Sequence, residues 1–187
     1  KNLLLTNTMV EIVQTIKQNK SGVRTSPGTA LKNAINGEVI YTPPCCEDVL
    51  SEKLASLERF INNPDSSSLD PLVKMAFIHY QFEAIHPFAD GNGRTGRIVN
   101  ALYLLQQKLL TQPVLYLSSY IVKYKTEYYQ LLRGVTEQQN WHDWVMYILT
   151  ALIETAQLTT KKIRTMLLLK EDYEKQMKQT LGSSFSY

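Results

Sequence analysis

Cysteine is scarce. Two residues in 187, adjacent at Cys45 and Cys46, exclude the disulfide framework that holds many small secreted folds together. A vicinal pair can bind a soft metal, but no further cysteine is present to complete a thiolate site. The pair fits a reducing compartment. Long apolar runs are also missing, and nothing approaches the ~20 residues that span a bilayer. Residues 1–20 lack the basic start and small-residue cleavage site of a signal peptide. No membrane partner is expected, and the cytoplasm is the expected compartment. A large excess of charge of one sign is missing too. Lys and Arg number 20 against 17 Asp and Glu, a net +3 that suits a phosphate-binding cleft but does not by itself argue for nucleic acid. What is present is globular in kind, 44% hydrophobic and 20% charged, at a length that predicts one domain with a substantial core.

One stretch concentrates chemistry: His86-Pro-Phe-Ala-Asp-Gly-Asn-Gly-Arg-Thr-Gly-Arg97, set between two helix-like segments. Gly91-Asn92-Gly93 can bend so that successive backbone N–H groups point into one concavity, an anion nest. Those groups would open the next helix, where the dipole favours negative charge. Arg94 and Arg97 are three apart and share a helical face, so both can reach the nest. Asp90 is placed to hold a hard divalent ion that also touches phosphate oxygens. His86 can take a proton near neutral pH. A Gly/Asn/Asp cluster is ordinarily a turn and a lone histidine ordinarily structural. A turn, however, needs neither two arginines nor an acid beside a histidine, and the whole set describes a polyphosphate site with its own base.

The stretch HPFADGNGRTGR resembles the active-site motif of the Fic family, H-x-F-x-(D/E)-G-N-G-R-x-x-R, and matches it at every fixed position. The resemblance implies an all-α, Fic-type helical core of about eight helices with a short β-hairpin flap. It implies an enzyme that moves AMP from ATP onto a Ser, Thr or Tyr hydroxyl of a target protein, with Mg²⁺. By position, His86 becomes the base, Asp90 the Mg²⁺ ligand, and Gly91, Asn92 and Gly93 the anion hole. Arg94 and Arg97 contact the ATP phosphates, and Phe88 anchors the loop in the core. The kinase-like Doc branch has Ala and Lys where this chain has Gly91 and Gly93, which disfavours that branch. Two rivals are a related transferase of another phosphate-containing group, and a nucleotide-sensing regulator whose C-terminal module binds DNA.

Along the chain, Leu5, Met9, Ile12, Val13 and Ile16 predict an amphipathic helix closed near Gly22. Ala30–Ile35 and Glu38–Thr42 read as two strands on an Asn36-Gly37 turn. Such a pair must lie on helices. An exposed edge can add a target strand by main-chain bonds. The resemblance favours that use, with Glu38, Val39, Ile40 and Tyr41 as the docking flap. A helix follows Pro43-Pro44, with Val49, Leu50, Leu54, Leu57, Phe60 and Ile61 inward. Asp70 and Pro71 start another, apolar on most sides to Ile85 and therefore central. Within it His79 reads as structural, and Glu83 can reach an arginine or a backbone N–H of the motif loop.

The motif then feeds a helix to about Leu110, and Ser118/Ser119 can start a short one. Tyrosines 124, 128 and 129 read as core, but the resemblance makes Tyr128 or Tyr129 a candidate for the adenine side of the nucleotide pocket. Asn140 caps a long helix with Trp141, Trp144, Val145, Ile148 and Leu152 inward. The core spans about 5–158. Residues 159–187 form a charged helix, read as a linker or a homodimer contact leading to a further module. Both ends read as cut. Many Fic proteins block the site with (S/T)-x-x-x-E-(G/N), whose Glu pairs with the second motif arginine. Thr150 to Glu154 fits poorly, being followed by Thr155 in the core-facing Trp helix. The inhibitor is thus absent, lies in a segment outside this chain, or comes from another chain as an antitoxin in trans; ATP and the target protein are the expected partners.

Overall fold

The structure, a computed structural model, describes residues 3–25, 30–32, 39–63 and 68–181. Among them are α1 (Thr6–Lys17), β1 (Leu31–Lys32), β2 (Val39–Tyr41), α2 (Glu47–Asn62), α3 (Pro71–Ile85), α4 (Asn92–Gln106), α5 (Ser118–Lys123), α6 (Lys125–Gln138) and α7 (Trp141–Leu181). The fold is predominantly helical. No helix among the described residues is long and apolar enough to cross a membrane.

Asp70 and Pro71 start the element that the others surround. The Asp70 carboxylate accepts the Leu72 N–H at 2.8 Å, and Pro71 occupies the first turn, where its missing N–H costs nothing. Apolar residues then recur on all sides of α3, so it can be covered from every direction. Met75, Ala76, Ile78, His79 and Phe82 are fully buried in it. Helices α2, α4 and α7 pack against it, and α1 covers α4. From α7, Trp144 is fully buried, and its indole N–H donates to the Ala76 carbonyl at 2.9 Å. Trp141 stacks on Phe77 at 4.5 Å between ring centres. Asn140 starts α7 by accepting the Asp143 N–H.

Strands β1 and β2 pair antiparallel, Leu31 opposite Tyr41 and Lys32 opposite Val39, with an irregularity between. The predicted Asn36-Gly37 turn and Glu38 lie outside the described residues. Helix α7 runs unbroken for 41 residues. Its inward residues end at Thr155, and from Ala156 to Leu181 every residue is exposed except the half-buried Thr159 and Glu174.

After the loop 86–91, α4 returns along α3, and the two helices touch closely at Gly96. A Cβ there would lie 2.9 Å from both the Phe82 ring and the Glu83 carboxylate. Gly96→Ala should therefore force the helices apart at a cost of about 1–3 kcal/mol. Urea unfolding would show this as a lowered midpoint, and an unchanged midpoint would mean that the contact has room to give.

Candidate active site

Helix α3 ends by delivering His86 in the left-handed conformation (φ 50°, ψ 58°), its N–H still bonded to the Phe82 carbonyl at 3.0 Å. This turn swings the chain out of the helix and into the loop. Phe88 pins the loop to the core; it is 1% exposed and tilts against Phe82. The buried Asn92 carboxamide closes the loop on itself, accepting from the Phe88 N–H at 2.9 Å and donating to the Phe88 carbonyl at 2.7 Å. Its side chain thus holds the loop's shape, while its backbone N–H belongs to the first turn of α4.

Gly91 sits immediately before α4 with φ 91°, a region that disfavours a side chain, and a Cβ there would lie 3.1 Å from Val13 of α1. The first intrahelical bond of α4 runs from the Thr95 N–H to the Gly91 carbonyl. Helical geometry therefore leaves the N–H groups of Asn92, Gly93 and Arg94 without an intrahelical acceptor, at the positive end of the dipole. A Cβ on Gly93 would meet the Arg97 guanidinium at 3.1 Å, which places that charge over the helix start. Arg97 is oriented by Ser118, whose hydroxyl accepts its Nε–H at 2.6 Å.

These groups line one cavity of about 450 Å³. Its wall takes in Glu83, His86, Asp90, Gly91, Asn92, Gly93, Arg94 and Arg97 on one side, with Ile121, Val122, Lys125, Tyr128 and Tyr129 on the other. Sequence-predicted residues from 86–97 and from the tyrosine segment are thus brought together. The two tyrosines differ in what they can offer. Tyr128 is buried, its hydroxyl bonded to His79 Nε2 at 3.1 Å, whereas Tyr129 is half-buried. Val39 and Tyr41 are not among the residues that line this cavity, and the side chain of Ile40 lies outside the described residues.

Burial decides the protonation of the groups around it. It lowers His86 below the ordinary histidine value; the nearby Glu83 carbonyl and Asp90 pull the other way, and Arg24 adds to the lowering. A neutral imidazole at pH 7 results, ready to accept a proton. Burial pushes the Glu83 carboxyl up to about 7, against the pull of Arg97. It holds His79 down to about 3, with Arg97 adding to the effect.

Asp90 lies at the rim with its carboxylate exposed. It accepts the Gly91 N–H at 2.7 Å and pairs with the Lys17 ammonium from the end of α1. The Lys17 hydrogen bond, followed by that of Gly91, lowers its pKa. No cluster of three or more His, Cys, Asp or Glu that could cage a metal occurs among the described residues. A lone carboxylate that already attracts a cation fits a magnesium ion whose other ligands are phosphate oxygens and water.

A sequence profile of the Fic/DOC family matches residues 4–104, more than half of the chain. The chain belongs to the Fic/DOC family. Its helical body agrees with solved Fic structures. A Fic family protein from Desulfovibrio desulfuricans G20 superposes with a TM-score of 0.69 at 24% identity, covering 86% of this chain and 47% of that one. Fic-1 from C. elegans superposes at 0.63 with 21% identity, covering 87% and 45%. At these identities the likeness concerns the fold. Among sequences, protein adenylyltransferase fic-1 of Caenorhabditis briggsae is 38% identical over 66 residues, or 35% of this chain and 13% of that protein. Protein adenylyltransferase Fic of Drosophila persimilis is 41% identical over 66 residues. The chain thus spans about an eighth of the length of these relatives.

Several residues that shape this cavity carry no signal in the sequence for that role. Lys17, Arg24, Ser118 and Lys125 are ordinary polar residues there, far from the motif and outside any recognisable spacing. Lys125 stands 5.9 Å above the Tyr129 ring, a cation on the wall facing the motif.

Glu83 and His79 contribute to stability with opposite pH signs. The raised Glu83 contribution is complete below pH 4.5 and is lost as pH rises through about 7. The depressed His79 contribution is complete above pH 6.5 and is lost as pH falls toward about 3. Between pH 4.5 and 6.5 the two slopes, each about 1.4 kcal/mol per pH unit at most, oppose one another. Glu83→Gln should unmask His79, so that unfolding free energy rises with pH across this window. Urea titrations at three pH values would check it; a variant whose pH profile matches the parent's would contradict the Glu83 assignment.

Proposed function

We propose that the chain is a protein adenylyltransferase that transfers AMP from ATP to a Ser, Thr or Tyr hydroxyl of a target protein. The observation that carries this reading is the placement of a neutral His86 on the same cavity wall as the open N-terminus of α4 and the two arginines. The adenylyltransferase names of the relatives support it.

In the proposed reaction the target hydroxyl oxygen forms a bond to the α-phosphorus, and the bond from that phosphorus to the pyrophosphate oxygen breaks. His86 accepts the hydroxyl proton as the oxygen attacks. The N–H groups opening α4, with Arg94 and Arg97, hold the phosphates and the charge that develops on the departing pyrophosphate. Asp90 would hold Mg²⁺, and Lys17 would yield its place on that carboxylate. When bound, the ion supplies charge neutralisation of the phosphate oxygens. Tyr129, with Tyr128 behind it, supplies an aromatic wall for the base. The β1–β2 pair serves as the flap, its β2 residues Val39–Tyr41 and the neighbouring Glu38 aligning an extended target segment through backbone bonds. Val39 of β2 is 49% exposed.

His86→Ala should abolish transfer while ATP binding survives, since the imidazole acts on the hydroxyl and not on the phosphates. Mass spectrometry of a lysate incubated with ATP, Mg²⁺ and each form would read the AMP mass shift; near-normal transfer by the variant would refute the base assignment. Asp90→Ala should weaken Mg²⁺-dependent ATP binding, and a calorimetric titration with unchanged metal dependence would remove Asp90 from that role. For the flap, a proline scan across 38–42 should lower transfer at alternate positions with ATP affinity held within a few-fold. Joint loss of both activities at every position would instead make the strand pair a folding element.

A further inference from the structure

The carboxyl end of α3, which delivers His86, is buried in the protein, and a helix leaves its last carbonyls without intrahelical donors. Here three successive carbonyls are satisfied by two side chains from the segment that bears the strands. The Tyr41 hydroxyl donates to the Ala84 carbonyl at 2.9 Å. The Arg24 guanidinium donates through Nε to the His86 carbonyl at 2.8 Å and through Nη2 to that of Ile85 at 3.3 Å. The same Nη2 donates to the Pro44 carbonyl at 2.5 Å, and the Arg24 backbone N–H donates to the Pro87 carbonyl at 2.8 Å.

Residue 24 precedes β1, while residues 41 and 44 end and follow β2, so both flanks of the strand pair grip residues 84–87. Arg24 is 7% exposed, a costly burial for a charge, and each of these bonds goes to a main-chain carbonyl. Its planar fork can hold several such oxygens at once, which an ammonium cannot do with the same geometry. The backbone of His86 is thereby fixed at both ends, its N–H by Phe82 and its carbonyl by Arg24, at a left-handed φ that is uncommon for a residue with a side chain.

We propose that Arg24 and Tyr41 form a brace joining the strand pair to His86, so that the segment aligning the target also sets the direction of the base. They are positioning residues and touch no reacting atom. The kinetic consequence rests on the adenylyltransferase reading; the brace itself does not.

The chain has three histidines, so a histidine-labelled sample gives a tractable NMR spectrum with His79 and His142 as internal controls. Tyr41→Phe deletes one hydroxyl, Arg24→Met removes the fork, and Arg24→Ala leaves space for added ethylguanidinium. The brace predicts displaced or broadened His86 signals in each variant with His79 and His142 in place, and partial recovery of Arg24→Ala by ethylguanidinium. It also predicts a kcat for AMP transfer lowered tenfold to a hundredfold, with KM for ATP within twofold. His86 signals in Tyr41→Phe that coincide with the parent, or all three histidines moving together, would overturn it. Should the arginine variants fail to fold, Tyr41→Phe decides alone. Absence of any transfer by the parent chain would sink the adenylyltransferase reading and leave the NMR result to decide the brace.

Discussion

A helix that stops inside a protein must find donors for its last carbonyls, and one that begins there must find acceptors for its first N–H groups. The loop 86–91 sets both problems side by side, since α3 ends just before it and α4 begins just after it. The negative end of one dipole therefore stands next to the positive end of the other. A base that takes up a proton is helped by the first, and a phosphate by the second. Burial opposes the charging of His86, so the imidazole stays neutral until a proton is offered. The close α3–α4 contact at Gly96 keeps these two ends in register, which makes a glycine outside the glycine-rich turn as consequential as those within it.

At the cavity wall and behind it, α3 carries two ionisable groups, Glu83 and His79, whose charging burial opposes. His79 is neutral at any ordinary pH, and Glu83 titrates near neutrality. A neutral group is far cheaper to bury than an ion, and burial favours the uncharged form of both, against the pull of Arg97 on Glu83. The serine that orients Arg97 is a weaker partner, and it leaves the positive charge available to a ligand. Tyr128 closes this layer by linking His79 to the aromatic group around Trp144 and Tyr147.

Much of this was legible in the sequence because it is local. Asp70-Pro71 announces α3, the apolar residues on all its sides announce burial, and the spacing from His86 to Arg97 announces a loop feeding a helix start. Asn92 was legible only by half: its backbone place follows from the motif, whereas its side-chain bonds to Phe88 require the loop's closed shape. Arg24, Lys17 and Lys125 were not legible. Each reaches the site by packing across 40 residues or more in the chain or from another helix, and neither period nor spacing records such contacts. Tyr41 illustrates the limit within a predicted strand. Alternation gives it a face, but only the structure gives its hydroxyl the Ala84 carbonyl.

The unbroken α7 has a hydrodynamic meaning. A straight helix of its length extends about 60 Å, against a radius of gyration of about 15 Å for a body of some 150 residues. The exposed second half thus makes the particle a body with a rod. Its backbone N–H bonds all lie close to the rod's axis, so end-over-end tumbling, the slowest rotation available, governs their reorientation. Amides of α7 will relax as though they belonged to a heavier protein than helices lying across that axis.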